Sequence, residues 1–241
     1  MYGDKHFGIG HARGHEKSDT FGPTRDTTGN RNNGEWTSRM KMFHAHTHYN
    51  ERIDYLVELL RPDLASLMHD AHDEVIKRPG IFPFDELWNS LYTGRAIIVN
   101  REAAEHLDRK GVRRAWDIIL VAGDYTGGDL WIRNMKLFCP LLPGDLVAFD
   151  GTCHRHQVMP YTGSLRISHV YYIHQSVFDE LGIDTHLADV YLASIVARMA
   201  RFDRQPPVMG PVLPPGFNRR RRQLEAAAGN QNARSKQARR K

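Results

Sequence analysis

The chain has 241 residues, with 33 Lys or Arg against 28 Asp or Glu for a formal net charge of +5, and it carries 14 His and only 2 Cys. That length suits one large domain with tails, and two cysteines exclude a disulfide framework or a zinc ribbon and point to a reducing compartment. No apolar run approaches the ~20 residues of a membrane span and the first residues show no export-signal core, so no membrane partner is expected.

Residues 1–40 are rich in Gly, His, Asn, Thr and Arg and read as a flexible, disordered polar arm. A central domain is expected over 41–205. Apolar spacing from Glu51 to Lys77 is helical. Pro62 splits it into two helices, with Asp63 near the start of the second, and Pro79-Gly80 stops it. A short helix is predicted at Phe84–Tyr92.

The period then changes to two. Arg95–Asn100, Ala115–Ala122, Asp129–Ile132, Leu146–Phe149, His156–Tyr161 and Leu165–His174 read as strands. Gly111, Gly127-Gly128, Pro143-Gly144 and Thr162-Gly163 supply the turns between them. Many short strands with glycine turns indicate a β-sandwich or jelly roll, here over about 94–176, inside an α+β chain. Helices are predicted again at Val177–Leu181 and Thr185–Phe202. Pro206-Pro207 and Pro214-Pro215 open a linker and tail over 206–241. There is no internal repeat.

Charge gathers in that tail. Arg219 to Lys241, starting with Arg219, Arg220, Arg221 and Arg222, holds nine Lys or Arg and one Glu; its net +8, within a total of +5, leaves residues 1–218 at −3. Such a tail suits nucleic-acid attraction or nuclear import, and equally a solubilising end.

The most informative stretch is Arg166-Ile-Ser168-His-Val170-Tyr-Tyr172-Ile-His174. On a strand, alternate side chains share a face. Arg166, Ser168, Val170, Tyr172 and His174 then present a cation, a hydroxyl, an apolar wall, an aromatic plate and an imidazole together. A surface strand rarely needs that set, whereas the inside of a ligand-binding barrel does. A buried arginine requires an anion, and a guanidinium fork with a hydroxyl beside it suits a carboxylate.

Upstream, His106-Leu-Asp108 could share a strand face as two ligands of a two-histidine, one-carboxylate site, the donor set of non-haem Fe(II). The dipeptide spacing alone carries little weight, since this composition gives roughly 1.6 such pairs by chance. His72-Asp-Glu74 is another, discarded because it lies in a helical pattern. For the third ligand, His154 and His156 share a strand face, and periodicity does not separate them. His44-Ala-His46-Thr-His48 lacks an acidic or cysteine partner nearby and reads as exposed polar histidines.

Taken in order, Asn100-Arg-Glu-Ala-Ala-Glu-His106-Leu-Asp108, Gly123-Asp-Tyr-Thr-Gly127-Gly128-Asp-Leu130, Pro143-Gly-Asp-Leu-Val-Ala-Phe-Asp-Gly151, His156-Gln-Val158 and the Arg166–His174 strand resemble the TET/JBP family of Fe(II)- and 2-oxoglutarate-dependent dioxygenases. The likeness runs from about Arg95 to Val177 and is nearest to the compact fungal-type members. It implies a double-stranded β-helix (jelly-roll) core with flanking helices. It also implies His106, Asp108 and His156 as iron ligands, the last chosen by its place after Gly151 and before Val158. Arg166 and Ser168 would hold 2-oxoglutarate, and Val170, Tyr172 and His174 would hold a flipped methylated base.

The implied activity is O2-dependent oxidation of 5-methylcytosine in DNA to 5-hydroxymethylcytosine and beyond. DNA would be the partner, the nucleus the location and a monomer the state. One departure concerns Gly111, which stands where animal TET enzymes place a base-contacting asparagine. It keeps thymine, N6-methyladenine or RNA in view as substrates, and a catalytically dead nucleic-acid-binding barrel is the reading from another class.

Overall fold

A computed structural model describes residues 2–11, 21–29, 34–81 and 88–204. They fall into two units, Met1–Tyr191 and Leu192–Lys241. Among the described residues of the first, nine strands form two antiparallel sheets. In chain order these are β1 (Gly3–Gly10), β2 (Gly22–Pro23), β3 (Gly94–Val99), β4 (Asp117–Gly127), β5 (Leu130–Ile132), β6 (Leu137–Cys139), β7 (Leu146–Phe149), β8 (His156–Val158) and β9 (Tyr161–Tyr172). The larger sheet runs β2-β1-β3-β9-β4-β7 and the smaller β6-β5-β8. Among the described residues of the same unit the α-helices are α1 (Arg25–Thr28), α2 (Glu35–Ala45), α3 (Thr47–Leu60), α4 (Pro62–Val75) and α5 (Gln175–Leu181), and the fold is α+β with a jelly-roll, double-stranded β-helix core.

Alternation along β9 divides the core. Tyr171 and, just beyond the strand, Ile173 are fully buried on the helix side, packed with Leu64, Met68 and Phe178. On the other face, Ile119, Val121, Leu130, Ile132 and Phe149 fill the space between the sheets. Pairing of Val170 with both Ala96 and Ile119 sets the register of β9 against its two neighbours. Apolar residues rich in β-branching and aromatics suit such a central strand.

Pro62 separates α3 from α4 as its position predicts, because its ring removes a backbone donor and is best tolerated in a helix's first turn. The strands at Leu146–Phe149 and Arg95–Asn100 also fall where the alternation places them. Elsewhere the structure corrects the expectation. Trp88–Tyr92 is not helical: Asp54 accepts from the Leu91 amide at 3.0 Å, and Trp88 Nε1 donates to the Tyr92 carbonyl at 2.8 Å. Side chains there take over the bonds a helix would make. Residues 82–87 lie outside the described set.

Thr185–Tyr191 is likewise not helical: Arg114 holds it through the Leu187 carbonyl at 3.1 Å and Asp189 at 3.0 Å while Leu187 is buried. A helix begins only at α6 (Leu192–Arg204), in the second unit, and carries exposed Leu192, Val196 and Met199 on its spacing of three and four. The Pro-rich linker and the basic tail lie outside the described residues.

The flexible arm is corrected most sharply. Gly3–Gly10 pairs with β3 residue for residue, from Gly3 opposite Val99 to Gly8 opposite Gly94. Its composition is polar, but Phe7 and Ile9 alternate inward and bury to 5% and 9% exposure. Phe7 meets Phe43 edge-on at 5.4 Å. The outer edge of β1 is covered by α1: His6 N–H donates to Asp26 at 3.0 Å and Gly8 N–H to Thr27 Oγ1 at 2.7 Å. Those side chains satisfy donors that an open edge would leave exposed. Helix α2 also forms inside the span expected to be an arm, anchored by Phe43 at 1% exposure.

An ordered strand and a flexible arm differ in what Phe7 is worth. Phe7→Ala should lower unfolding stability by about 3–5 kcal/mol in a urea titration, the usual range for a buried phenylalanine; an arm would show almost no change.

Candidate active site

A cavity of about 650 Å³ opens between the two sheets. It brings together every residue expected at the site within the first unit: His106, Asp108, His156, Arg166, Ser168, Val170, Tyr172 and His174 all line it. Arg219, Arg220, Arg221 and Arg222 lie outside the described residues.

The loop before β4 and the strand β8 meet at a two-residue bridge. His106 N–H donates to the His156 carbonyl at 3.0 Å, and His156 N–H returns to the His106 carbonyl at 3.1 Å. Asp108 N–H bonds the Gly151 carbonyl at 2.9 Å. These backbone bonds place three ligand atoms within 4.8 Å of one another. Asp108 Oδ1 lies 3.6 Å from His106 Nε2, and Oδ2 lies 3.5 Å from His156 Nε2.

Each ring's other nitrogen faces a carbonyl, His106 Nδ1 to Ala104 at 2.7 Å and His156 Nδ1 to His154 at 2.9 Å. A carbonyl only accepts, so both Nδ1 atoms carry the proton and both Nε2 lone pairs point inward. Burial is the main influence lowering the His156 pKa and favours its neutral, ligating form. The donor set fits a facial two-histidine, one-carboxylate divalent metal, with the carbonyls fixing the imidazoles.

His154, left open against His156 by spacing, turns aside: its Nδ1 accepts from Asn134 Nδ2 at 2.9 Å. His44 in α2, His46 at the junction and His48 in α3 also stay apart from any metal cluster among the described residues. His46 donates to the Met42 carbonyl at 2.6 Å, and its ring lies 5.1 Å from that of His169.

At one end of the cavity sits Arg166, 2% exposed. Its Nη1 donates to Ser168 Oγ at 2.7 Å and its Nη2 to the Gly128 carbonyl at 3.3 Å. Tyr125 and Tyr161 cover the guanidinium at 5.2 and 5.4 Å. Its buried Nε has no hydrogen-bond partner. Gly128, at φ +73°, leaves the room, since a Cβ there would stand 2.9 Å from that Nε. A buried, incompletely bonded guanidinium is a receptor for a carboxylate.

At the other end Tyr172 stacks on His174, centroids 4.7 Å apart and planes 30° apart. The Tyr172 ring lies over Gly94, where any Cβ would strike it. Burial pushes the phenol up to about 12, so it is neutral at ordinary pH. Burial first, then nearby Lys110 and His6, lower the His174 pKa. Gly111 bridges His174 and bonds Asp108 O, and a side chain there would meet the Thr152 methyl at 2.9 Å.

Three lining residues escape the sequence reading. Asp117, opposite Tyr172 in the sheet, is 5% exposed; burial and then the Asp108 charge push its carboxyl well above the ordinary range. An acid opening the apolar run Asp117-Ile-Ile-Leu-Val was its available signal. Asp4 and His6 come from β1, and nothing in their polar context marks them.

No family model matches the sequence, and no curated protein matches it. Among solved structures, NgTET1 in complex with 5mC DNA aligns with a TM-score of 0.51 at 17% identity, covering 72% of this chain and 61% of that one. The chain therefore spans about six tenths of that neighbour's length, and the likeness shows a shared fold. A 2OG-Fe(II) oxygenase family oxidoreductase from Burkholderia pseudomallei aligns over 37% of this chain and 48% of its own, at 18% identity and TM-score 0.29. A Pseudomonas putida prolyl-4-hydroxylase aligns over 34% and 50%, at 22% identity and TM-score 0.26.

Gly151 leaves no room for a side chain beside Asp108. A Cβ there would fall 2.5 Å from Asp108 Oδ2 and 2.5 Å from Asp117 Oδ2. Gly151→Ala should therefore weaken Co(II) or Mn(II) binding by at least tenfold in a spectroscopic titration, of the order seen when a ligand's supporting shell is disturbed. Unchanged affinity would mean the loop yields and the carboxylate keeps its place.

Proposed function

We propose that the protein is an Fe(II)- and 2-oxoglutarate-dependent dioxygenase that oxidises the 5-methyl group of 5-methylcytosine in DNA. One observation carries the reading. An open His106–Asp108–His156 donor set, a buried arginine with an unpartnered Nε and a stacked Tyr–His pair line one cavity.

The residues divide the work. His106, Asp108 and His156 hold Fe(II) through two neutral imidazoles and one carboxylate. Arg166, with the Ser168 hydroxyl beside it, takes the distal carboxylate of 2-oxoglutarate. With both bound, the site supplies O2 chemistry in which one oxygen atom enters the methyl group and the other leaves in succinate, alongside CO2. Val170 walls the methyl group, Tyr172 offers a face for the base and His174 bonds its edge. A base inside a duplex does not reach such a cavity, so it is flipped out. Base–aromatic stacking, worth about 1–3 kcal/mol, offsets part of the unstacking cost. The basic tail adds sequence-blind affinity for DNA, consistent with a nuclear enzyme.

A sibling reading keeps the chemistry and moves the substrate to thymine, N6-methyladenine or RNA. It is favoured by Gly111, which contributes no side chain to a base. A binding module without turnover is disfavoured by the intact donor set, since three converging ligand atoms serve no packing purpose.

Nucleoside mass spectrometry of methylated duplex DNA, incubated with the protein, Fe(II), ascorbate and 2-oxoglutarate, tests this. New 5-hydroxymethylcytosine, absent with His156→Ala, is expected. Succinate release on another nucleic acid alone would move the substrate, and no succinate at all would leave a binding module. Arg166→Ala should raise the KM for 2-oxoglutarate by at least tenfold while leaving Co(II) affinity nearly unchanged, because it removes a charge-assisted bidentate contact and no metal ligand. Equal loss of both would make Arg166 a structural residue.

A further inference from the structure

Strand β1 puts two polar side chains into the cavity that neither the metal ligands nor the Arg166 end requires. Asp4 pairs with Ile98 and His6 with Ala96. Those two pair in turn with Ser168 and Val170. Side chains in register stand on one face of a sheet. Asp4 and His6 therefore continue the rows of Ser168 and Val170 out to the mouth, and both line the cavity.

Their chemistry is coupled. His6 Nε2 lies 3.5 Å from Asp4 Oδ2, and Arg101 Nη1 lies 2.6 Å from the same oxygen. The His6 ring is 6.4 Å from the Tyr172 ring. Tyr172 leans toward β1 because Gly94 leaves the space beneath its ring. A planar ligand on Tyr172 thus has β1 along one edge. On the opposite side, the Gly111 position offers no polar group.

We infer that Asp4 and His6 are specificity-determining residues: the Asp4 carboxylate accepts from an exocyclic amine, His6 donates to a ring acceptor, and together they select an aminopyrimidine over thymine. The inference rests on the proposed function. In 5-methylcytosine the C4 amine sits beside the 5-methyl group, with the N3 acceptor next along the edge. Thymine puts a carbonyl oxygen where the amine was. A carboxylate facing that oxygen opposes two acceptors and leaves both unpaired, which a partly desolvated site penalises. Arg101 holds the carboxylate in place.

The test uses the full chain with Fe(II) and 2-oxoglutarate and two duplexes, identical except for one 5-methylcytosine·guanine or thymine·adenine pair. Product mass spectrometry yields kcat/KM for each, and fluorescence anisotropy without O2 yields each Kd. Asp4→Asn should reduce the preference for the methylcytosine duplex about tenfold in both readouts, with the KM for 2-oxoglutarate unchanged. Asp4→Glu should restore part of it, and His6→Gln should show a smaller loss. An unchanged ratio in Asp4→Asn and His6→Gln, or an equal fall on both duplexes, overturns the inference while leaving the proposed function intact. Wild-type protein that turns over neither duplex overturns the proposed function, and this inference with it. Should Asp4→Asn fail to fold by circular dichroism, the His6→Gln ratio decides.

Discussion

Period-two alternation along β9 is the constraint on which the rest depends. The strand lies between β3 and β4, hydrogen-bonded on both edges. One face must satisfy the helices, and it does so with buried Tyr171 and Ile173. The other is thereby free to carry Arg166, Ser168, Val170 and Tyr172 into the cavity. A slip of one residue would exchange these sets, burying an arginine among the helices and exposing Tyr171 to the cavity. Stability and chemistry therefore share one register. The helix-side packing holds the cavity face in place without lining the cavity itself.

The candidate metal ligands obey a different logic. They sit where irregular backbone meets the short strand β8, and no extended run of ladder bonds fixes them. Their geometry comes from a reciprocal backbone pair between His106 and His156 and from one bond between Asp108 and Gly151. Asp150 secures the intervening turn by accepting from the Thr152 amide and hydroxyl at 2.8 and 2.6 Å and from the Arg114 amide at 2.9 Å. A site built this way is specified by backbone and small residues as much as by its ligands. That is why Gly151 matters although it touches no metal.

How much of this was legible follows from the range of the forces involved. The β9 face was readable because alternation is local, and five unusual side chains on one face leave few other readings. The pair α3 and α4 was readable because Pro62 acts through its own ring. His154 and His156 were not separable by spacing, since the choice depends on a bond from Asn134 across a turn. The residues around Trp88 and Leu187 defeated helix prediction because distant side chains, Asp54 and Arg114, bond their backbone. Strand β1 was missed for the same reason: its order depends on Phe43, Thr27 and Asp26, which lie far along the chain. With β1 went Asp4 and His6, so the error in fold became an error in the site.

On the proposed reading, the charges around the cavity also bear on which ligand goes where. Arg166 is buried at one end with its Nε unmatched, so that end attracts an anion. Asp4 stands at the mouth, with Tyr172 and His174 as uncharged neighbours favoured by burial. A dicarboxylate placed there would meet a carboxylate already paired with Arg101 and would leave the buried Arg166 guanidinium unmatched. A neutral planar group placed at Arg166 would leave a buried cation uncompensated, a penalty of several kcal/mol. Burial, then the Asp108 charge, raise the Asp117 pKa well above the ordinary range and so disfavour a second negative charge beside Asp108. On the proposed reading, the buried guanidinium thus fixes the anionic co-substrate at the Arg166 end and leaves the stacked Tyr172 and His174 to a neutral planar substrate.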